Sequence, residues 1–133
     1  MSLTDLFKKL DAQLANPRWS WGSTRSDGSV FLRVWQDRKE KINDRWHMMI
    51  AHHEKYTDNE ENLGYQERLA HIAAIKNGAK CYMIMCLAKD ANASPRAIKS
   101  FNENDIFVGG SIIKFEGNTY IELADRHPIK EII

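Results

Sequence analysis

Four tryptophans fall within the first 46 residues, at Trp19, Trp21, Trp35 and Trp46, with arginines beside them at Arg18, Arg25, Arg33 and Arg38. That pairing has a definite chemical use. An indole stacks on a nucleobase and contributes roughly 1–3 kcal/mol per base, while a guanidinium forks onto phosphate oxygens. Trp19 and Trp21 stand two residues apart, so on a strand they face one side and form a single wall. The same rings could instead seal one end of a core, and the arginines could be scattered surface charge. Further along, Gly64 permits an unusual backbone angle, and Tyr65 and Gln66 then lie where a helix start offers N–H groups to an anion. Gln66 also has the amide needed to read a base edge, although the plainer account is an ordinary helix start. Arg96 and Lys99, in the basic segment from Ser94 to Phe101, are candidate backbone contacts. The nucleic-acid-binding candidates are therefore Arg18, Trp19, Trp21, Arg25, His52, His53, Tyr65, Gln66, Arg96 and Lys99.

Catalytic chemistry finds less support. His52-His53-Glu54 invites a metal reading, but zinc needs three or four converging ligands, and adjacent histidines on an extended chain point apart. One of the two as a hydrogen-bond donor to phosphate or base fits better, and no metal ligand and no cofactor are assigned. Cys81 and Cys86 lie in the most apolar run, where a thiol is inert. No Gly-x-Ser-x-Gly and no phosphate-binding glycine loop is present. Asp58, Glu60, Glu61 and Glu67 gather around a helix start, which is how a helix dipole is capped. Glu122 lacks the lysine two residues on that many nuclease sites carry. No catalytic residue is assigned, and the residues favour binding over self-sufficient catalysis.

The elements that must position these groups follow from periodicity. Leu3, Leu6, Phe7, Leu10 and Leu14 recur at helical spacing, which predicts a helix over residues 4–15, capped by Ser2 or Thr4 and stopped by Asn16-Pro17. Residues 19–22 and 30–35 read as strands around the turn signal at Asp27-Gly28. The charged stretch 37–45 reads as a solvated loop, 45–51 as a strand, and 52–62 as a polar connection. A second helix is expected over 65–77 with Leu69, Ile72 and Ala73 on its apolar side and Gly78 as its stop. Residues 80–87 are apolar on both alternations, as in a central strand covered on both faces. Residues 90–95 and the basic segment after them read as loop, with Gly109-Gly110 suggesting a bulge or tight turn. A last hairpin spans 105–115 and 118–123, followed by a short tail.

This order predicts one α+β domain over residues 1–133: a small, curved, mostly antiparallel β-sheet or barrel flanked by two main helices. A chain of 133 residues can bury enough surface to fold without disulfides or metal. The net charge is only +1, so the protein is not a uniformly basic nucleic-acid coat, and any such binding needs a local patch. Two cysteines in an apolar run, no signal-peptide core and no run of membrane-spanning length lead to an expected cytoplasmic location with no membrane partner.

The helix ending at Ile75-Lys76-Asn77-Gly78 and leading into the strand from Lys80 resembles the PUA-like superfamily, which includes ASCH, EVE and SRA-type modules. Pro17-Arg18-Trp19-Ser20-Trp21-Gly22, Val30-Phe31-Leu32-Arg33-Val34-Trp35-Gln36-Asp37 and Leu63-Gly64-Tyr65-Gln66-Glu67-Arg68 resemble a bacterial group of SRA-like regions in McrA-type, modification-dependent HNH endonucleases. The resemblance implies a small barrel whose cleft binds nucleic acid, DNA before RNA, with a flipped or modified base in a pocket. No HNH segment is present, so the resemblance also implies a possible separately encoded nuclease partner. Two other readings stay open: a small nucleotide- or RNA-processing enzyme using His52 or His53, and a protein or small-molecule sensor.

Overall fold

The computed structural model describes residues 1–56, 62–93 and 96–133. Helix α1 spans Leu3–Lys9 and begins with a capping box, in which Ser2 and Asp5 each accept from the other's backbone N–H. It is shorter than its apolar spacing predicts. Asp11 turns the chain to φ 56°, and Ala12 and Leu14 reach the core from a non-helical return segment. Spacing alone could not separate the two, because each buries its leucines on the same side.

Strands β1 (Gly22–Thr24) and β2 (Val30–Trp35) pair antiparallel around a turn that uses Gly28 at φ 89°. The expected segment 19–22 is only partly strand: the chain turns through residues 17–19, and pairing starts at Gly22. The charged stretch is not simply a loop. A 3-10 turn over Gln36–Arg38 leads into β3 (Lys39–Ile42), which pairs with β4 (Arg45–Ala51) across Asn43-Asp44. Both turn residues have positive φ, at 53° and 64°, the geometry of a tight hairpin turn. β3 hides from pattern reading because it is an edge strand with Ile42 as its one buried residue. Helix α2 (His53–Tyr56) interrupts the expected polar connection. The acidic run Asp58 to Glu61, and Ser94 and Pro95, lie outside the described residues.

Helix α3 (Leu63–Lys76) is capped by Asn62, whose Oδ1 accepts from the Tyr65 N–H at 2.8 Å. Its buried stripe is Gly64, Tyr65, Arg68 and Ile72, with Leu69 partly buried and Ala73 exposed, so a cation replaces an expected apolar residue. Strand β5 (Cys81–Ala88) is central, parallel to β2 and antiparallel to β7 (Asp105–Phe115). It also pairs β6 (Ile98–Phe101), a short strand where a basic loop is expected. β7 forms a long hairpin with β8 (Asn118–Pro128), which continues past the predicted end at residue 123. The ladder shifts register at Val108/Gly109 and Gly109/Ile112. At Gly109 a Cβ would meet Ile121 Cδ1 at 2.5 Å and Cys81 Cβ and Sγ at 3.2 Å, so a side chain there would make Ile121 shift.

The fold is α+β, with an eight-stranded, mostly antiparallel sheet in the order β1-β2-β5-β7-β8-β4-β3 and three α-helices among the described residues. The sheet is not closed. β5 is apolar on both alternations because it separates two cores: Cys81, Met83 and Met85 face α3, while Tyr82, Ile84 and Cys86 face α1. Val30, Leu32 and Val34 of β2 share the α3-side core with Met48 and Ile50 of β4, although three strands lie between β2 and β4 in the sheet order. The sheet therefore curls until β2 and β4 approach each other without pairing. Among the described residues no helix is long and apolar enough to cross a membrane.

Candidate functional site

The gap between β2 and β4 is the site. β1 covers β2 only as far as Leu32, and β3 covers β4 only as far as Met48. The backbone edges at 33–35 and 49–51 thus face each other as two lips, and both line a cleft of about 700 Å³. Arg68, at 4% exposure, ties them together. Its Nη1 donates to the Ile50 carbonyl at 2.8 Å on one lip. Its Nη2 donates to the Arg33 carbonyl at 2.8 Å on the other, and to the Trp21 carbonyl at 3.0 Å. Burial lowers the pKa of this guanidinium to about 10, with the nearby Arg33 charge acting in the same direction. Its Nε has no hydrogen-bond partner.

Glu67, the preceding residue, fixes the aromatic wall. Its carboxylate accepts from the Trp21 N–H at 2.9 Å and from the Ser20 hydroxyl at 2.8 Å. Trp19 and Trp21 both line the cleft, although the chain there is a turn and not the strand the spacing suggests. Trp21 meets Tyr56 at 5.1 Å between ring centroids, Tyr56 stacks on Tyr65 at 5.5 Å, and Tyr65 meets His53 edge-on at 5.9 Å. This continuous file of rings runs from the cleft into the protein and braces the wall. Gly64 lies directly behind Trp21 and Trp19, where a Cβ would meet Trp21 Cε2 and Nε1 and the Trp19 carbonyl.

Six cationic side chains line the cleft: Arg18, Arg33, Arg38, Lys55, Arg68 and Arg96. No carboxylate does so among the described residues. Asp37 is held by Arg96 through a fork at 2.7 and 2.9 Å, and Arg96 also covers the Trp35 ring at 5.4 Å. Burial pushes the Asp37 carboxyl up, but the Arg96 hydrogen bonds and charge outweigh it and leave the pKa below its ordinary value. The Arg33 guanidinium makes no hydrogen bond or ion pair among the described residues, and loss of solvent lowers its pKa. His52 lines the same cleft, its pKa lowered by burial and then by the Arg38 charge.

Of the sequence candidates, the cleft brings together Arg18, Trp19, Trp21, His52 and Arg96. Tyr65 is buried behind it. His53 turns inward, with Nδ1 at 2.6 Å from the Tyr65 hydroxyl and Nε2 at 2.7 Å from Thr119 Oγ1. Gln66 and Lys99 are exposed and do not line the cleft. Arg25 belongs elsewhere: it bonds Asp27 and the Ile132 carbonyl and covers the Phe31 and Tyr82 rings beside the α1-side core. Cys81 and Cys86 are buried free thiols, pushed by burial to about 12 and about 11. Among the described residues no three His, Cys, Asp or Glu side chains are grouped to hold a metal ion.

Arg33, Arg38, Lys55, Tyr56 and Arg68 were not among the candidates, yet two carried a readable signal. Arg33 interrupts the apolar strand Val-Phe-Leu-Arg-Val-Trp, and Arg68 stands in the helical stripe of Gly64, Tyr65 and Ile72. A cation at a core position is costly without a purpose. No protein-family model, curated protein or solved structure matches the chain.

Proposed function

We propose that the chain is a nucleic-acid-binding module of PUA-like type that takes one unstacked base, flipped or modified, into the cleft between β2 and β4, with DNA as the preferred polymer. One observation carries this reading: six cations and three indoles converge on one opening in a chain whose total net charge is only +1. A field concentrated in this way attracts polyanions that a dispersed charge would not. A cleft of about 700 Å³ suits one or two nucleotides and is too small for a duplex. The cost of extruding a base, a few kcal/mol, is met by stacking on Trp19 or Trp21 together with hydrogen bonds to its edge. Where cleavage accompanies binding, this reading assigns it to a separately encoded nuclease. The enzyme alternative, which uses His52 or His53 with a nearby carboxylate, is less favoured, since His53 is engaged by Tyr65 and Thr119 and His52 shares the cleft with no carboxylate among the described residues.

Fluorescence anisotropy with labelled modified and unmodified oligonucleotides tests the proposal. Binding should weaken as salt rises, and Trp21→Ala should reduce affinity by roughly 1–3 kcal/mol without unfolding the domain. Anisotropy that stays flat for every single- and double-stranded probe would remove the assignment.

A further inference from the structure

We propose that the floor of the cleft, at Arg33 beside Arg68, receives a terminal phosphate monoester: the phosphorylated end of a strand, or of a nucleotide, and not a diester within a continuous backbone. The inference deepens the nucleic-acid reading and rests on it for what is attached to the phosphate.

Arg33 lies between Leu32 and Val34, both buried, on a strand that also pairs with β5. Its guanidinium has been drawn out of water into a cleft wall and given no hydrogen bond among the described residues. Arg68 beside it carries a second, fully buried charge satisfied by carbonyls alone, with Nε left over. The two residues meet where Arg68 Nη2 donates to the Arg33 carbonyl at 2.8 Å, and both line the cleft. The carboxylate whose charge reaches both, Glu67, has its oxygens occupied by Ser20 and Trp21 and does not line the cleft. Arg33 and Arg68 on one partly desolvated cleft, with Arg18 and Arg38 beside them and no carboxylate among the described lining residues, call for a compact, doubly charged ligand.

A diester brings one charge and two free oxygens. A monoester brings roughly −1.5 to −2 at neutral pH and three acceptor oxygens. Arg38 and Arg18, on the same cleft and without ion pairs among the described residues, can hold the remaining oxygens or the next phosphate. A nucleotide at a strand end is also unstacked more cheaply than one inside a duplex.

The test compares one short single strand bearing a 5′-phosphate, a 3′-phosphate or hydroxyl ends, together with a nucleoside monophosphate and inorganic phosphate. A phosphorylated end should bind on the order of tenfold more tightly than the hydroxyl form. That ratio should grow between about pH 5 and pH 7, as the second phosphate proton leaves near pH 6. His52 lines the same cleft and gains charge as pH falls, which favours the phosphorylated end in the opposite direction, so the ratio is also measured in His52→Asn, where the titration of the phosphate acts without it. Arg68, its pKa lowered to about 10, stays charged throughout. Arg33→Gln should erase the preference and Arg33→Lys should restore part of it. Should Arg33→Gln fail to fold, the end-group comparison in the unmodified protein still decides. Equal affinity for phosphorylated and hydroxyl ends would overturn the inference and leave the nucleic-acid reading standing. A melting temperature raised by the monophosphate or by inorganic phosphate, with no strand bound, would support the phosphate subsite and remove the nucleic-acid reading.

Discussion

Arg68 is a charge used as a structural tie. Its two Nη atoms donate to the Ile50 and Arg33 carbonyls on the two lips of the cleft, and to the Trp21 carbonyl, which also accepts from the Arg33 N–H. Replacing it with methionine fills the volume but takes the donor from the Ile50 and Arg33 carbonyls, at about 1–3 kcal/mol each when no water reaches them, while the Trp21 carbonyl keeps the Arg33 N–H. Arg68→Met should therefore lower unfolding stability by about 2–5 kcal/mol, the cost of two buried carbonyls left without a donor. Arg68→Lys should fall in between, because an ammonium keeps the charge and loses the planar fork. Urea denaturation measures both. A methionine variant as stable as the parent would show that the tie contributes nothing net.

At the scale of elements, the start of α3 sets the position of the aromatic wall. Asn62 caps it, Gly64 lets Trp21 lie against it, and Glu67 and Arg68 hold the backbone of the segment that carries Trp19 and Trp21. Gly64→Ala adds one methyl group that meets Trp21 Cε2 and Nε1, so the indole must move. Overpacking of this kind costs about 1–3 kcal/mol. The variant should melt earlier and show shifted tryptophan emission, and unchanged emission would mean the wall tolerates the methyl group. Much of this architecture was legible in the sequence. The strands at 30–35 and 45–51, the doubly apolar β5 and the last hairpin follow from alternation, and α3 from its period. What escaped detection shares a physical cause. β3 and β6 are short edge strands whose side chains mostly face solvent, so burial imposes no pattern on them. Half of the candidate site was visible as Trp19, Trp21, Arg18, His52 and Arg96. The rest depended on β2 and β4 meeting across the curl of the sheet, a relation between residues far apart in the chain that no local spacing encodes.

For the whole molecule, titration couples folding to pH. His52, His53 and His71 all have pKa values below the ordinary 6.5, each mainly through burial. In the window just below 6.5 the unfolded chain binds more protons than the folded one, so stability rises with pH across that window and is lost as pH falls. Thermal melts should show a clear decline from about pH 7 to about pH 5, and a flat or inverted profile would contradict the neutral state of these rings. The lowered carboxylates Asp27 and Asp37 act with the same sign, but below their ordinary 3.8. Charge is also distributed unevenly at this scale, with 19 basic residues almost balancing 18 acidic ones while the cleft lining is cationic. The unclosed sheet has a mechanical consequence as well. In a fully laddered barrel, parting two neighbours means breaking several amide pairs together. Between β2 and β4 side-chain packing and the two hydrogen bonds of Arg68 take the place of a ladder, so the aperture can be regauged at a single codon while every strand keeps its own partners.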